Sequence, residues 1–456
     1  MLISTNPATG ETFARYPLHD QACVDAVLDA AARAQARWRI QPIAARCAGM
    51  RRVGELLRQR KEAYARLITL EMGKPLSESL AEIEKSAWTC DYYAGHAARL
   101  LADEPVPASG SYSAVTYDPL GVVLAIMPWN YPFWQFVRFA APTLCAGNGA
   151  VLKHAGNVPQ CALALAELFR DAIDVPGLVG NVFVEPERVA ALIDDPRIAA
   201  VTLTGSTAVG KLVAAQAGRA MKKQVLELGG SDPFIVLADA DVERAAAAAA
   251  KARFSNTGQS CISAKRFIVD DRVADDFSAR LCAHAGALVM GDPLRAGTGL
   301  GPMARANLRT ALHDQVERSL GQGAELKLGG QMPDGAGFFY PATVLDHVTP
   351  AMAAGREETF GPAAAVMRVR DTEAAIALAN ATEFGLGASL WTADLGHARE
   401  LARGIEAGAV FVNGIVASDA RLPFGGIKQS GYGRELGAAG IREFTNIKTY
   451  WVGPAT

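Results

Sequence analysis

Glu227 and Cys261 stand in sequence contexts that suit nucleophilic catalysis. Glu227 lies between two leucines in LELGGSDP (226–233), and apolar neighbours raise the pKa of a carboxyl group toward the range of a general base. Cys261 closes the turn-like segment NTGQSC (256–261), where backbone N–H groups are expected to lower the thiol pKa and favour attack on a carbonyl carbon. The other cysteines are interpreted as small buried hydrophobes: Cys23, Cys47, Cys90, Cys145, Cys161 and Cys282.

A glycine-containing turn in AAVTLTGSTAVG (199–210) has the pattern of a phosphate site. The segment predicts a strand, a tight turn and the start of a helix, whose first N–H groups are free to bind a phosphate. Gly205 is expected to permit the turn, Ser206 to donate to a pyrophosphate, and Gly210 to let the helix lie close to its neighbour. The spacing G-S-x-x-x-G differs from the G-x-G-x-x-G dinucleotide fingerprint.

Alternating strand-like and helical stretches predict an α/β architecture around these residues. Residues 20–104 carry apolar side chains at helical spacing, and from residue 120 onward buried strand-like runs alternate with amphipathic helices. This rhythm predicts mostly parallel sheets covered by helices. Residues 105–119 are interpreted as an extended excursion, and the tail FTNIKTYWVG (444–453) alternates like an edge strand, which invites pairing with a second subunit.

The composition of the 456-residue chain argues against several classes of partner. Charged residues make up 20% and the formal net charge is -2, so neither nucleic acid nor an anionic membrane surface is expected to bind. The first residues lack a basic region followed by an apolar run, and no stretch of 18 apolar residues occurs, so we expect neither a signal peptide nor a membrane span. Widely spaced cysteines without C-x-x-C indicate no metal site and favour a reducing cytoplasm.

Six short segments resemble, in the same order, motifs of the aldehyde dehydrogenase superfamily. They are PWNYP (128–132), LTGSTAVG (203–210), LELGGSDP, NTGQSC, EETFGP (357–362) and PFGGIKQSGYGRE (423–435). The resemblance runs from Asn6 to Tyr450, with Cys261 lying 34 positions after Glu227, and it is strongest to the bacterial NAD(P)-dependent succinate semialdehyde dehydrogenases.

The resemblance implies two doubly wound, mostly parallel-sheet domains with a small β oligomerisation element. The dinucleotide-binding domain is expected at 1–103 and 120–230, and the catalytic domain at 231–441. The oligomerisation element is expected at 104–119 and 442–456, in a homodimer or homotetramer.

The resemblance also implies roles for single residues. Cys261 attacks the aldehyde, the Asn130 amide and the Cys261 backbone N–H stabilise the oxyanion, and Glu227 activates the water that hydrolyses the thioester. Lys153 corresponds to the lysine that holds the adenosine ribose, while Glu358 and Phe360 correspond to residues at the nicotinamide ribose and ring.

The residue three positions after Lys153 bears on the choice of cofactor. Strictly NAD-dependent relatives often carry a glutamate there, which repels a 2′-phosphate, whereas this chain has Gly156. We therefore expect either NAD or NADP to be accepted. His154 is interpreted as an ordinary structural histidine.

The chain matches some but not all of the positions that contact the substrate in the family it resembles. Arg138 and Ser418 match positions thought to contact the substrate carboxylate, and a guanidinium suits such an anion. A second arginine of many members is replaced by Ser255, for which Arg421 is the candidate substitute, and Ser263 stands where some relatives have a second, redox-active cysteine. Succinate semialdehyde is the expected substrate, with glutarate semialdehyde or a simple aliphatic aldehyde left open.

Other classes of protein fit the sequence less well. A broad-specificity aliphatic aldehyde dehydrogenase remains the first alternative. A CoA-acylating relative is disfavoured by the presence of Glu227, and a non-catalytic protein on the same scaffold by the presence of both Cys261 and Glu227. A zinc alcohol dehydrogenase is disfavoured because the cysteines and histidines are scattered.

Overall fold

Two mostly parallel β-sheets flanked by helices form the framework of the chain, which confirms the predicted α/β class. The computed structural model describes residues 1–453, so positions 454–456 of the predicted oligomerisation element lie outside the described residues. The strands are β1 Leu2–Thr5, β2 Thr12–Tyr16, β3 Glu104–Pro105, β4 Tyr112–Pro119, β5 Val122–Met127, β6 Gly149–His154, β7 Val179–Asn181, β8 Ile198–Thr204, β9 Lys223–Glu227, β10 Asp232–Val236, β11 Ala264–Asp270, β12 Glu325–Leu328, β13 Thr343–Asp346, β14 Ala363–Val369, β15 Gly387–Trp391, β16 Ala409–Val412, β17 Gly431–Tyr432 and β18 Thr445–Val452. The helices are α1 Gln21–Trp38, α2 Ile43–Gln59, α3 Lys61–Met72, α4 Leu76–Leu100, α5 Trp134–Cys145, α6 Pro159–Ala172, α7 Val189–Asp194, α8 Thr207–Arg219, α9 Val242–Phe254, α10 Asp271–Gly286, α11 Ala306–Gly321, α12 Ala353–Arg356, α13 Thr372–Asn380, α14 Leu395–Arg403 and α15 Gly437–Glu443.

The first sheet has six strands in the order β17-β9-β8-β5-β6-β7. Its strands run parallel except for β17, which pairs antiparallel to β9. All six residues of β5 are buried, as expected for a parallel strand with helices on both faces. Strands β6 and β7 lie on one side of β5, and β8 and β9 on the other. This reversal of strand order is where open α/β sheets bind ligands, outside the carboxyl ends of their strands.

A buried carboxylate fixes the helix that follows this reversal point. Glu82, on α4, accepts hydrogen bonds from the backbone N–H groups of Phe133 (2.8 Å) and Trp134 (2.9 Å) at the start of α5. Its other oxygen lies 2.5 Å from Nζ of the fully buried Lys74. A negative charge at a helix start compensates the helix dipole, so α4 holds both α5 and the loop that carries Asn130 in place.

The second sheet has seven strands in the order β12-β13-β14-β11-β10-β15-β16. They run parallel apart from β12, which is antiparallel to β13. Glu227 is the last residue of β9 in the first sheet, and Cys261 precedes β11 in the second. The two predicted reactive residues therefore lie at strand ends of different sheets.

The third sheet joins the extended excursion to the tail, in the order β18-β4-β3. Strand β18 pairs antiparallel with β4 along its whole length, and seven of its eight residues are exposed. This arrangement agrees with the edge strand predicted from the alternating tail. Before the tail, β17 and α15 return to the first sheet and to α4 and α5, although both come from the range predicted for the second domain. Within residues 1–453, no helix is long and apolar enough to cross a membrane.

Candidate active site

A left-handed turn precedes the candidate nucleophile Cys261. Asn256, Thr257 and Gly258 have φ angles of 56°, 55° and 67°. Such a conformation costs roughly 1–3 kcal/mol at each non-glycine residue and persists only where the surroundings impose it. The Asn256 Nδ2 group donates to the backbone carbonyls of Asn130 and Gln259, each at 3.0 Å. The turn is thereby fastened to the loop that carries Asn130.

The fully buried guanidinium of Arg253, in the last turn of α9, holds the carbonyl groups of this turn. It donates to the backbone oxygens of Gly258 (3.0 Å), Ala264 (2.9 Å), Thr359 (3.0 Å) and Gly361. Arg253 therefore ties the turn to the EETFGP segment. The sequence prediction missed it, although an arginine inside the buried face of an alanine-rich helix is a signal that could have been followed.

Lys265, on the other side of the nucleophile, is also fully buried. Its Nζ donates to the backbone carbonyls of Ser260 (3.1 Å) and Cys261 (2.8 Å) and lies 3.5 Å from the Glu358 carboxylate. The backbone of the nucleophile is thus connected to a residue predicted at the cofactor ribose. Sequence reasoning missed Lys265 as well.

The half-buried Cys261 thiol has a pKa raised to about 11. Burial is the main cause, since it disfavours the charged thiolate, and the positive charges of Arg138 and Lys265 offset only part of this effect. The expectation of a lowered thiol pKa is therefore wrong for this state of the protein, because desolvation outweighs the nearby positive groups. The thiol carries its proton at neutral pH and must lose it as it attacks.

Asn130 lies beside Cys261 on the wall of a shared cavity. Its Oδ1 accepts a hydrogen bond from Gln135 Nε2 (3.1 Å), and its Nδ2 donates to the Gln259 carbonyl (2.9 Å). A side-chain amide has two N–H donors, so one remains after the bond to Gln259. Within residues 1–453, the Cys261 backbone N–H has no hydrogen-bond acceptor. Within the described residues, Asn130 and Cys261 therefore each keep one N–H that has no acceptor.

Cys261 lies at the junction of two cavities. The first has a volume of about 240 Å³ and is lined by Pro128, Trp129, Asn130, Gln135, Thr204, Gly205, Ser206, Leu228, Gly229, Cys261, Arg305, Leu308, Glu358 and Phe360. The second has a volume of about 450 Å³ and is lined by Glu78, Ala81, Glu82, Lys85, Tyr131, Trp134, Gln135, Arg138, Lys251, Ser255, Ser260, Cys261, Ile262, Ser418 and Phe424. Cys261 and Gln135 are the two described residues that line both cavities. We call the first the cofactor cavity and the second the substrate cavity.

The cofactor cavity contains four of the six residues predicted to bind the cofactor, namely Gly205, Ser206, Glu358 and Phe360. The Ser206 hydroxyl is the N-cap of α8, where it accepts from the Val209 N–H at 3.4 Å. Free N–H groups at this helix start suit a pyrophosphate. The residues of this cavity therefore fit the phosphates of a dinucleotide.

The two glycines of the phosphate turn differ in what the structure requires of them. A Cβ on Gly210 would lie 2.5 Å from the Leu228 side chain, so the close approach of α8 requires glycine, as predicted. A Cβ on Gly205 would meet Leu203 at an ordinary 3.4 Å, and its φ lies outside the left-handed region. Gly205 is therefore compatible with the turn, as expected, but its backbone does not demand glycine.

Lys153 and its neighbours lie outside the cofactor-cavity lining, at the end of β6. Burial lowers the Lys153 pKa, while Glu185 and Glu187 act in the opposite direction. His154 accepts from the Ala155 N–H (2.9 Å) through Nδ1 and pairs through Nε2 with the Pro132 carbonyl (2.9 Å). Burial lowers its pKa to about 4, which agrees with a neutral structural histidine.

The carboxyl group of Glu227 is almost fully buried, and it does not belong to the lining of either cavity. Within residues 1–453, neither of its oxygens has a hydrogen-bond partner. Burial and then the neighbouring Glu435 raise its pKa well above the usual value, whereas Arg138 and Arg434 lower it. The direction of this shift is the one predicted for a general base.

The comparisons with known proteins agree with this geometry. Residues 2–450 match the model of the family described as "Aldehyde dehydrogenase family". The chain belongs to the aldehyde dehydrogenase family.

Among its relatives, the chain is similar to succinate semialdehyde dehydrogenase [NAD(P)+] Sad of Escherichia coli (strain K12), with 50% identity over 98% of this chain and 97% of the relative. It is 47% identical to succinate-semialdehyde dehydrogenase [NADP(+)] 1 of Mycobacterium tuberculosis (strain H37Rv), over 99% of each chain. Among solved structures, it is similar to succinic semialdehyde dehydrogenase from Streptococcus pyogenes in complex with NADP+. That match has a TM-score of 0.97 and 35% identity, covering 99% of this chain and 100% of that one.

In this aldehyde dehydrogenase, Arg138 lines the substrate cavity while forming a buried ion pair with Glu435. The distance from Nε to Oε2 is 2.5 Å, and both side chains are 3% exposed. Its Nη2 also donates to Gln135 Oε1 at 3.3 Å, and its guanidinium carbon lies 4.6 Å from the centre of the Phe424 ring. Much of the charge predicted to bind a substrate is therefore already balanced within the protein.

Ser418, the other residue predicted at the substrate, contacts a lysine that the sequence prediction missed. The Lys85 Nζ donates to the Ser418 hydroxyl at 2.7 Å and lies 4.4 Å from the centre of the Trp134 ring. Both Lys85 and Ser418 line the substrate cavity. Arg421 does not line it: this side chain is 65% exposed and is paired with Asp419 at 2.6 Å.

Two further observations complete the site. Arg305, which precedes α11, lines the cofactor cavity with its guanidinium carbon 5.7 Å from the centre of the Trp129 ring, and sequence reasoning missed it too. Over residues 1–453, no group of three or more His, Cys, Asp or Glu side chains is arranged to hold a metal ion.

Proposed function

We propose that this aldehyde dehydrogenase oxidises succinate semialdehyde to succinate with NAD or NADP. The observation that carries the proposal is the position of Cys261 between a cavity suited to a dinucleotide and a cavity lined by Lys85, Arg138 and a serine hydroxyl. Positive groups and a hydroxyl suit the carboxylate of an aldehyde acid. The names of the relatives described above support the same substrate and both cofactors.

The chemistry that fits these residues proceeds through a covalent intermediate. The Cys261 thiol loses its proton to solvent as its sulfur bonds to the aldehyde carbon, and the Asn130 amide and the Cys261 N–H stabilise the resulting oxyanion. A bound nicotinamide supplies the acceptor for the hydride. Glu227 then takes a proton from the water that attacks the thioester carbon, which releases succinate and restores the thiol. The raised pKa makes Glu227 a stronger base than an exposed carboxylate.

For the cofactor, we propose that Ser206 and the start of α8 bind the pyrophosphate. Glu358 and Phe360 contact the nicotinamide half, and Lys153 contacts the adenosine ribose. Gly210 supports the site by its close packing on Leu228. We propose acceptance of both cofactors because Gly156 places no carboxylate at the 2′-position.

A steady-state assay of NADH and NADPH formation tests the proposal. Succinate semialdehyde is compared with butanal, a neutral aldehyde of the same carbon number, using wild-type protein and Cys261→Ala. We expect a higher kcat/KM for succinate semialdehyde and no turnover by Cys261→Ala. Equal kcat/KM values for the two aldehydes would refute the substrate, and turnover by the variant would refute the nucleophile.

A broad-specificity aliphatic aldehyde dehydrogenase is the second candidate. The observation that favours it is the Arg138–Glu435 ion pair, which neutralises one of the two cations expected to recognise an acid substrate. Under this alternative, neutral aldehydes from propanal to hexanal would be oxidised as efficiently as succinate semialdehyde.

For assembly, we propose a homodimer or homotetramer built through β18 and the excursion β3–β4. The large exposed side chains of β18 support this proposal: Ile447 is 62% exposed, and Tyr450 and Trp451 are each 50% exposed. We expect Ile447→Asp to lower the mass measured by light scattering after gel filtration; an unchanged mass would place the interface elsewhere.

The domain division and the location of the protein are also proposals. We propose a dinucleotide-binding domain at 1–103 and 120–230 and a catalytic domain at 231–441, with 104–119 and 442–456 in the oligomerisation element. Limited proteolysis followed by mass mapping tests these boundaries. A cytoplasmic location is supported by the seven free thiols, which suit a reducing compartment, and cell fractionation tests it.

A further inference from the structure

We propose that Lys85, together with Ser418, binds the carboxylate of the substrate and so selects an aldehyde acid over a neutral aldehyde. The inference rests on the proposed oxidation of succinate semialdehyde and names the residues that recognise its acid end. Lys85 lies in the middle of α4, whereas Ser418 is 333 positions further along the chain, so the pair is formed only by the fold.

The positive charges that line the substrate cavity are unevenly balanced. Among the cations that line it, Arg138 is paired with Glu435 at 2.5 Å, and Lys251 is exposed. Within residues 1–453, no carboxylate oxygen lies within 4.0 Å of the Lys85 ammonium. A partly buried charge without a partner is costly, and an anionic ligand would supply the missing counter-charge.

The hydrogen-bond donors of Lys85 and Ser418 also suit a carboxylate. An ammonium group has three N–H donors; one of Lys85 is directed to Ser418, and the Trp134 ring lies near the group. Because the Ser418 hydroxyl accepts that bond, its own hydrogen remains available to another acceptor. Lys85 and Ser418 therefore present two neighbouring donors, which match the two oxygens of a carboxylate. Cys261 lines the same cavity, so one substrate can contact both ends.

Lys85 changes its protonation state near pH 8. Burial lowers the Lys85 pKa to about 8, with Arg138 acting in the same direction, while Asp419, Glu82 and Cys261 act in the opposite one. Since the ammonium form is present below the pKa, a bound carboxylate draws a proton onto Lys85 near pH 8. We therefore expect the KM for succinate semialdehyde to rise above pH 8. The KM for butanal should not rise in that pH range.

The kinetic test uses Lys85→Met, which keeps the length of the side chain and removes its charge. We expect the KM for succinate semialdehyde to rise about 10- to 100-fold, as befits the loss of a charge-assisted contact. The ratio of kcat/KM for succinate semialdehyde to that for its neutral methyl ester should fall by a similar factor. Lys85→Arg should retain much of the preference and lose the rise in KM above pH 8.

Two controls separate this role from structure and from general electrostatics. Arg99→Met removes a positive charge from the exposed face of the same helix, outside both cavities, and we expect its KM to change less than about threefold, as for a screened surface charge. Thermal unfolding reports any damage to α4. An unchanged substrate preference in a folded Lys85→Met protein would overturn the inference, as would an equal loss for acid and ester.

A binding measurement provides a readout without turnover. Succinate is titrated into Cys261→Ala protein at pH 8 by calorimetry, in buffers of different ionisation enthalpy. We expect uptake of about half a proton per succinate bound, as linkage to a group half-protonated at that pH requires, and no uptake with Lys85→Met added. Uptake that persists in the double variant would contradict the assignment. If wild-type protein oxidises butanal but not succinate semialdehyde, the proposed substrate has failed rather than Lys85.

Discussion

Replacement of Arg138 by methionine tests whether this residue acts mainly on its own protein or on the substrate. Arg138 and Glu435 form an ion pair at 2.5 Å with both side chains 3% exposed, so methionine leaves the Glu435 carboxyl buried without its cation. Arg138 also lowers the pKa of Glu227. We therefore expect a loss of stability together with a change in the pH dependence of turnover for every aldehyde.

The size of the stability loss follows from burial. Removal of one partner from a buried ion pair costs about 3–5 kcal/mol, whereas replacing both partners by neutral groups is close to neutral. Unfolding entropy of about 2.1 cal/mol/K per residue gives about 1 kcal/mol/K for 456 residues. The Tm of Arg138→Met should thus fall by about 3–5 °C, and the added change Glu435→Gln should restore most of it.

The loss should also depend on pH. Burial raises the pKa of Glu435 above its ordinary 4.5, and Arg138 counteracts this shift. Without Arg138 the pKa of Glu435 in the folded protein is higher still. The folded variant therefore keeps a proton on Glu435 that the unfolded chain releases. The stability of the variant falls as the pH rises above about 4.5, the ordinary pKa of this group. We expect a small Tm deficit at pH 4.5 and the full deficit at pH 8.

Differential scanning calorimetry of wild type, both single variants and the double variant measures this cycle, and pH profiles of kcat accompany it. The loss of Arg138 raises the Glu227 pKa further, so the acidic limb of kcat should shift to higher pH with both succinate semialdehyde and butanal. Additive Tm changes would refute the ion-pair reasoning. A defect confined to succinate semialdehyde would show instead that Arg138 binds the substrate.

Three further predictions concern the remaining site residues. The rate at which iodoacetamide alkylates Cys261 should increase with pH and level off only above the thiol pKa of about 11. A rate that levels off just above the ordinary value of 9.0 would contradict the role of burial. Glu227→Gln should give one burst of NADPH per active site and then turn over at least about 100-fold slower than wild type; a linear trace at the wild-type rate would exclude it as the base. Gly156→Glu should lower kcat/KM for NADP relative to NAD about 10- to 100-fold by charge repulsion, since a Cβ there meets only Leu2 at 3.4 Å. An unchanged cofactor ratio would place the 2′-phosphate elsewhere.

Local sequence patterns were sufficient for several of the strands. The apolar runs around β5 and β8 and the alternating tail are periodicities that can be recognised over a few residues, and each became a strand.

The charge pairs of the site could not be predicted in the same way. Glu435 lies 297 positions after Arg138, and Ser418 lies 333 positions after Lys85. No periodicity relates such residues, because only the packing of α4 and α5 against the PFGG segment brings them together. The prediction of a lowered thiol pKa for Cys261 failed for a related reason. The direction of this shift depends on burial, which the local sequence does not reveal.

The clamp of Arg253 on distant carbonyl groups has a consequence for synthesis of the chain. Thr359 and Gly361 follow Arg253 by 106 and 108 positions, so this second hold on the left-handed turn before Cys261 forms only after the EETFGP segment has been synthesised. Until then the thiol keeps the ordinary reactivity of an exposed cysteine, with a pKa near 9.0. Completion of the fold raises that pKa to about 11. We therefore expect oxidants and electrophiles to react faster with Cys261 in the incompletely folded chain than in the folded protein.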